Sequence, residues 1–145
     1  MPYELRCAEA GDMELLMRIG HEGIRPYVQE VWGWDQADQE RRFAESFDPD
    51  ITHVVRVDGR DVGFLTVTHN DDHVFLTGIY LDENVRRQGI GAELIRDLME
   101  RCKTLRKPLR LRVLHCNPAQ RLYHRLGFQV IDSTETHIYM EAEAQ

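Results

Sequence analysis

A chain of 145 residues suits a single domain with a substantial buried core, and 42% hydrophobic against 30% charged residues describes an ordered globular protein, not a disordered tail. The formal net charge of -7 argues against nonspecific nucleic-acid binding, which needs a basic surface to neutralise phosphates, and suits a cationic partner better. The start, "MPYELRCAEAGDMELLM", lacks a basic segment leading into an apolar stretch and a small-residue cleavage site, and no apolar run approaches the roughly 18 residues of a membrane span. A cytoplasmic location without membrane association is therefore expected. Cys7, Cys102 and Cys116 are odd in number and lack paired metal spacing, so reduced thiols are expected. The neighbours His115, Cys116 and His124 match no zinc pattern, and no metal is expected.

Hydrophobic periodicity divides the chain into alternating elements with no linker or repeat. "YELRCAE" reads as a short strand. "GDMELLMRIGHEGIRPYV" then brings Met13, Leu16, Met17 and Gly20 to one side of a helix that Pro26 should end or bend. A second helix is expected from near Asp35 through "QADQERRFAESF", closed by Pro49 and joined to the first through Trp32-Gly33-Trp34. "THVVRVDG" and "DVGFLTVTHN" read as strands of a hairpin turning at Asp58-Gly59, where glycine tolerates positive φ. "VFLTGIYL" is apolar enough to be a central strand buried on both faces.

Ile90, Leu94, Ile95, Leu98 and Cys102 mark the core stripe of a further helix, with Pro108 beyond its end. "LRLRVLHC" alternates Leu109, Leu111 and Val113 against Arg110 and Arg112, the period of a strand. In "NPAQRLYHRLG", Asn117 is the expected N-cap, Pro118 the first helical residue and Gly127 the exit. "FQVIDS" and "HIYMEAE" close the chain as an antiparallel pair. Helices among strands, with hairpins at both ends, imply a mixed α+β fold in which a central mixed sheet is covered by helices. A crossover helix makes "VFLTGIYL" and "LRLRVLHC" parallel.

The stretch "NVRRQGIGAELIRDLM" carries the first functional signal. Gly89 and Gly91 remove side chains where a strand has ended and a helix begins, so the unpartnered first-turn N-H groups stay open to a ligand. The helix dipole and the charges of Arg86 and Arg87 favour an anion there, and a phosphate or pyrophosphate fits. A Walker loop is ruled out because no GK precedes Ser or Thr. A Rossmann fingerprint is ruled out because Leu94 occupies its sixth place.

These residues resemble the GNAT superfamily of acyl-CoA-dependent N-acyltransferases, whose phosphate loop reads Q/RxxGxG/A; Arg86, Gly89 and Gly91 fill it. "NPAQRLYHRLGF" is similar to the second signature of that family, through Asn117, Tyr123, Gly127 and Phe128. The resemblance covers residues 52 to 140 and is weaker over the first fifty. It implies a GNAT-like single domain over residues 1–145, with two splayed parallel strands and about four flanking helices.

It further implies acetyl-CoA as acyl donor. The pyrophosphate would lie on Arg86, Arg87, Gln88, Gly89, Ile90, Gly91 and Ala92, the pantetheine against the backbone of Ile79, Tyr80 and Leu81, and the thioester toward Asn117 and Tyr123. Tyr123 would protonate the departing sulfur, and a backbone N-H near Leu81 would steady the oxyanion.

The common glutamate base of the family has Thr77 in its place, which cannot act as a base. Glu22, Asp35, Glu83 or His73 acting through water, or an amine arriving partly deprotonated, stay open as alternatives. Cys116 reads as a strand-end thiol and not as an acyl carrier. Tyr27, Trp32 and Trp34, beside Glu22, Glu30 and Asp35, are the expected cleft for a small-molecule or peptidyl primary amine, or else filling over the sheet. The competing readings are a noncatalytic acyl-CoA-binding module and a protein-interaction domain docking through the Trp32 to Trp34 surface. A homodimer is left open.

Overall fold

The computed structural model describes residues 2–143. Strand β1 (Glu4–Cys7) leads into helix α1 (Met13–Trp32) and helix α2 (Gln36–Ser46). Strands β2 (Thr52–Val57), β3 (Arg60–His69) and β4 (Val74–Leu81) follow, then helix α3 (Ile90–Leu105), strand β5 (Leu109–Leu114) and helix α4 (Gln120–Arg125). Strands β6 (Gln129–Ser133) and β7 (His137–Ala142) complete the described chain. The seven strands form one sheet in the order β1-β2-β3-β4-β5-β7-β6. Every neighbouring pair is antiparallel except β4 with β5, which the α3 crossover makes parallel. This is the expected mixed sheet flanked by helices.

Alternation along the strands gives the sheet two faces. Val54 and Phe64 face α1, where Leu16 and Ile19 are fully buried and Phe43 of α2 closes the cluster. Val55, Leu65, Leu76 and Leu111 face the other way, onto Ile90, Leu94, Ile95 and Leu98 of α3. Phe128 is buried in the same cluster, with Leu122 and Tyr123 of α4 packed against it. The β2–β3 hairpin turns at Asp58 (φ 53°) and Gly59 (φ 78°), two left-handed residues that match the strand twist.

Two sequence expectations change. Pro26 does not end α1, which continues to Trp32. Proline deletes only its own N-H bond to the carbonyl four residues back, and Pro26 is exposed, where water can serve that carbonyl. The helix stops instead at Gly33, whose φ of 82° takes the chain out while its N-H returns to the Gln29 carbonyl at 3.0 Å. Asn117 does cap a turn, accepting the Ala119 N-H at 2.9 Å, but regular α4 geometry begins only at Gln120.

The closest backbone approach lies on β3. A methyl group on Gly63 would sit 2.4 Å from the Tyr80 carbonyl oxygen, so only glycine lets β3 and β4 lie as they do. Gly63→Ala should lower stability by about 1 to 3 kcal/mol, the usual cost of overpacking. Gly11→Ala, with nothing within 4 Å of the added carbon, should lie within about 0.5 kcal/mol of wild type. Urea unfolding of the two variants checks this; equal midpoints would remove the steric argument.

Candidate active site

β4 and β5 pair over only three positions, Val74 with Leu109, Phe75 with Arg110 and Leu76 with Leu111. At the next residue β4 carries a bulge: Thr66 stands opposite Gly78 and Val67 opposite Leu76, which leaves Thr77 without a partner on β3. Beyond it the two strands part. Asp82 donates its N-H to the Val62 carbonyl at 2.6 Å, so by antiparallel alternation Gly78 and Tyr80 turn their backbone groups toward β3. Ile79 and Leu81 turn theirs into the gap that β5 has vacated. The gap is the mouth of a cleft of about 480 Å³, bounded by β4, β5, α1, α3 and α4. Of the residues expected to meet a pantetheine arm, Ile79, Tyr80 and Leu81 all line it.

The basic turn lies at one end of this cleft. Gly89 is the N-cap of α3 in left-handed geometry, with φ 82° and ψ 1°. Its carbonyl accepts the Glu93 N-H, which leaves the N-H groups of Ile90, Gly91 and Ala92 with no helical acceptor. The Ile90 side chain is buried in the core, so this residue can offer only its backbone. Gly91 and Arg86 line the cleft itself. Arg86 Nε holds the Leu81 carbonyl at 2.9 Å and Gln88 Nε2 holds the Asn84 carbonyl at 3.1 Å, bracing the loop that joins β4 to α3. Arg87, at φ 66°, is exposed beside them. The turn thus brings together bare backbone donors, a helix dipole and two cations, an arrangement that can hold an anion.

At the other end stand Asn117 and Tyr123. Gly127 (φ 102°) ends α4, with the Phe128 N-H returning to the Tyr123 carbonyl at 3.0 Å, and the buried Phe128 ring meets Tyr123 edge to face at 5.8 Å. These contacts fix the phenol against the cleft wall. Burial first, and then the neighbouring Tyr80, push the Tyr123 hydroxyl up to about 12, so it stays protonated across the neutral range.

The acceptor side departs from expectation. Tyr27, Trp32 and Thr77 line the cleft, but Trp34 does not. The positive φ of Gly33 swings Trp34 to the opposite flank of α1. There its indole meets His21 edge to face at 5.2 Å, lies under the Arg25 guanidinium at 5.3 Å and donates to Gln36 at 2.8 Å. That surface is a separate hollow of about 290 Å³, lined also by Glu22.

The other base candidates fall elsewhere too. Asp35 caps α2 through the Asp38 N-H, Glu83 lies in the turn after β4, and His73 at the start of β4 is bonded to Asp72 at 2.7 Å. Among the described residues, no Asp or Glu lines the cleft. The Cys116 thiol is pushed up by hydrogen bonding to Glu30 and by burial, which suppresses the thiolate an acyl carrier would need.

Two polar lining residues are not marked as such by the sequence, Arg112 and His137. In the sequence Arg112 stands only as the polar half of a strand alternation, and His137 only as the first residue of a closing strand. Sheet order supplies the missing signal, because β7 inserts between β5 and β6 and sets His137 opposite Leu114. Trp32 lies over the His137 ring at 6.2 Å, and Nδ1 is bonded to Thr136 Oγ1 at 2.8 Å. Among the described residues, no group of three or more His, Cys, Asp or Glu is placed to hold a metal, and no helix is long and apolar enough to cross a membrane.

A seven-stranded mixed sheet opened between two parallel strands, with an anion cradle on the crossover helix, is the architecture of the GNAT acetyltransferases. The Acetyltransferase (GNAT) family model matches residues 18–128, and the chain belongs to that family. Among solved structures, it is similar to the PaiA N-acetyltransferase of Thermoplasma acidophilum in complex with coenzyme A, with a TM-score of 0.79, 19% identity and 99% of each chain covered. It is also similar to the ribosomal-protein-S18-alanine N-acetyltransferase of Escherichia coli, with a TM-score of 0.69, 20% identity and 99% of this chain and 95% of that one covered. Ard1 of Thermoplasma volcanium aligns with a TM-score of 0.70 at 19% identity, covering 100% and 99%. A comparison with curated proteins gives no significant match.

Burial, then Arg112 and His115, lower the proton affinity of His137 below the ordinary 6.5. The unfolded chain therefore binds more protons on this ring than the folded one between the two values. Its contribution to stability is intact above about 6.5 and is lost as pH falls toward the folded value. Ring-proton NMR should give a His137 midpoint below 6.5; a midpoint at or above it would contradict the assignment.

Proposed function

We propose that this protein transfers an acetyl group from acetyl-CoA to a primary amine by direct attack within a ternary complex. The observation that carries the reading is the continuity of the cleft. One opening is lined by the basic turn, by a strand edge that has lost its neighbour and by a protonated phenol, the three kinds of group that the pyrophosphate, pantetheine and thioester of the donor call for.

Acetyl-CoA supplies the acetyl group as an activated thioester. The Ile90, Gly91 and Ala92 N-H groups bind its pyrophosphate, with Arg86 and Arg87 adding charge and Gln88 and Gly89 shaping the turn. The free edge of β4 at Ile79 and Leu81 hydrogen-bonds the pantetheine amides as a neighbouring strand would. A backbone N-H of the same edge, near Leu81, donates to the carbonyl oxygen as negative charge builds on it. The amine lone pair forms the C-N bond, the C-S bond breaks with its electron pair passing to sulfur, and Tyr123 gives its hydroxyl proton to that sulfur. The nitrogen sheds one proton, Tyr123 regains one from solvent, and the products are an acetamide and free coenzyme A.

Calorimetry and kinetics test the two ends separately. Gly89→Val forces a β-branched residue into a left-handed position and should weaken acetyl-CoA binding at least about tenfold. Arg87→Ala should weaken it as well, and among the described residues its exposed side chain has no hydrogen bond or ion pair that folding would miss. Unchanged affinity in both variants would remove the phosphate assignment. Tyr123→Phe should lower turnover roughly a hundredfold with acetyl-CoA affinity nearly unchanged. Full turnover with chemistry rate-limiting would take Tyr123 out of the acid role.

A further inference from the structure

The acceptor side of the cleft carries a charge pattern that the acetyltransferase reading, on which this inference rests, does not itself require. Arg110 and Arg112 project from the same face of β5, two residues apart. Arg110 is paired with Glu141 at 2.7 Å. Arg112 lines the cleft and has no hydrogen bond or ion pair among the described residues. In the β5–β7 register Arg112 stands opposite Tyr139, and His137 lies two residues along on the same face. That is the diagonal position of an antiparallel pair, with side-chain origins roughly 7 to 8 Å apart.

His137 is held with Nδ1 on Thr136 Oγ1 and with Trp32 over its ring, and no described protein atom bonds its Nε2. With no carboxylate on the lining, an acceptor bearing only an ammonium group would meet Arg112 and no counter-charge. An acceptor whose amine has a carboxylate beside it would satisfy both groups, the carboxylate on the guanidinium and the nitrogen at the imidazole.

We propose that the acceptor is an amine bearing a carboxylate close to its nitrogen, of the amino-acid type, with the carboxylate held by Arg112 and the nitrogen facing Nε2 of His137. His137 takes one proton from the ammonium form, which frees the lone pair that attacks the thioester, and returns that proton to solvent after the amide has formed. The aromatic wall of Tyr27 and Trp32 then meets the remainder of the acceptor. A base on β7 also accounts for Thr77, since β4 need not supply one.

The test is a set of matched acceptors assayed for coenzyme A thiol release from acetyl-CoA: lysine against cadaverine, tyrosine against tyramine, and leucine against isoamylamine. In pairs that react, the wild-type protein should use the amino acid with a kcat/KM at least about tenfold above that of its decarboxylated partner. Arg112→Gln should raise the acceptor KM at least about tenfold and leave the acetyl-CoA KM unchanged, and Arg112→Glu should reverse the preference. His137→Gln should lower kcat, with both KM values little changed. Equal or better use of the decarboxylated amines by the wild type, or an unchanged acceptor KM in Arg112→Gln, overturns the inference alone. Thiol release with none of the acceptors, while calorimetry still records acetyl-CoA binding, overturns the acetyltransferase reading and this inference together.

Discussion

The feature on which the site depends is the separation of β4 from β5 after Leu76 and Leu111. Each strand keeps its other partner. β4 stays registered with β3 as far as Leu81 opposite Gly63, and β5 stays registered with β7 as far as Leu114 opposite His137. The sheet therefore opens at one seam without losing the order of its strands. Opening leaves the Ile79 backbone groups and the Leu81 N-H without a strand partner on that side, the Leu81 carbonyl being taken by Arg86, and such groups must be met by water or by a ligand. A ligand that brings amide groups in extended form meets them as a strand would.

Everything else at the site is placed by that seam. The crossover that makes β4 and β5 parallel must start near the end of β4, and this sets the amino-terminal end of α3 beside the opening. Arg86 ties the two together, its Nε on the Leu81 carbonyl, so the basic turn is braced against the strand edge. The return at the far end of β5 brings Asn117 and Tyr123 to the other lip, where Phe128 anchors the short α4 into the core. A six-residue helix has little stability of its own. Its position rests on Phe128 and the Gly127 exit, which is why the GF step belongs to the same signature as the tyrosine.

What the sequence made legible were features encoded within a few neighbouring residues. The Asp58-Gly59 turn, the Gly89 helix start, the apolar stripe of α3 and the Gly127 exit of α4 each depend on spacing inside one element or its cap, and they stand where expected. Three features were not legible because they depend on relations between distant elements or on solvent. Pro26 is accommodated only because its side of α1 faces water. Trp32 and Trp34 are two residues apart, yet the left-handed Gly33 sends them to opposite flanks of α1. His137 and Arg112 are 25 positions apart in the numbering and neighbours only because β7 inserts next to β5. Periodicity shows that a residue faces outward, but not which neighbouring strand it faces beside.

The net charge of -7 suits a cationic acceptor, but a sum over the surface says nothing about the field inside one cleft. The acidic residues lie outside, as caps and ion-pair partners, while the charged side chains that line the opening are Arg86 and Arg112. That local sign bears on proton transfer as well as on recognition. A carboxylate at position 77 would lie across the wedge from Arg112, and a nearby cation would lower its proton affinity and make it a poorer base. Burial first, and then the same cation, lower the proton affinity of the His137 ring in the same sense, which leaves the ring neutral near neutral pH with its Nε2 lone pair open. A carboxylate at 77 would also pair with Arg112 and take the guanidinium that the proposed acceptor needs, whereas a neutral imidazole leaves it free, and in this sense Thr77, Arg112 and His137 are consistent with that proposal.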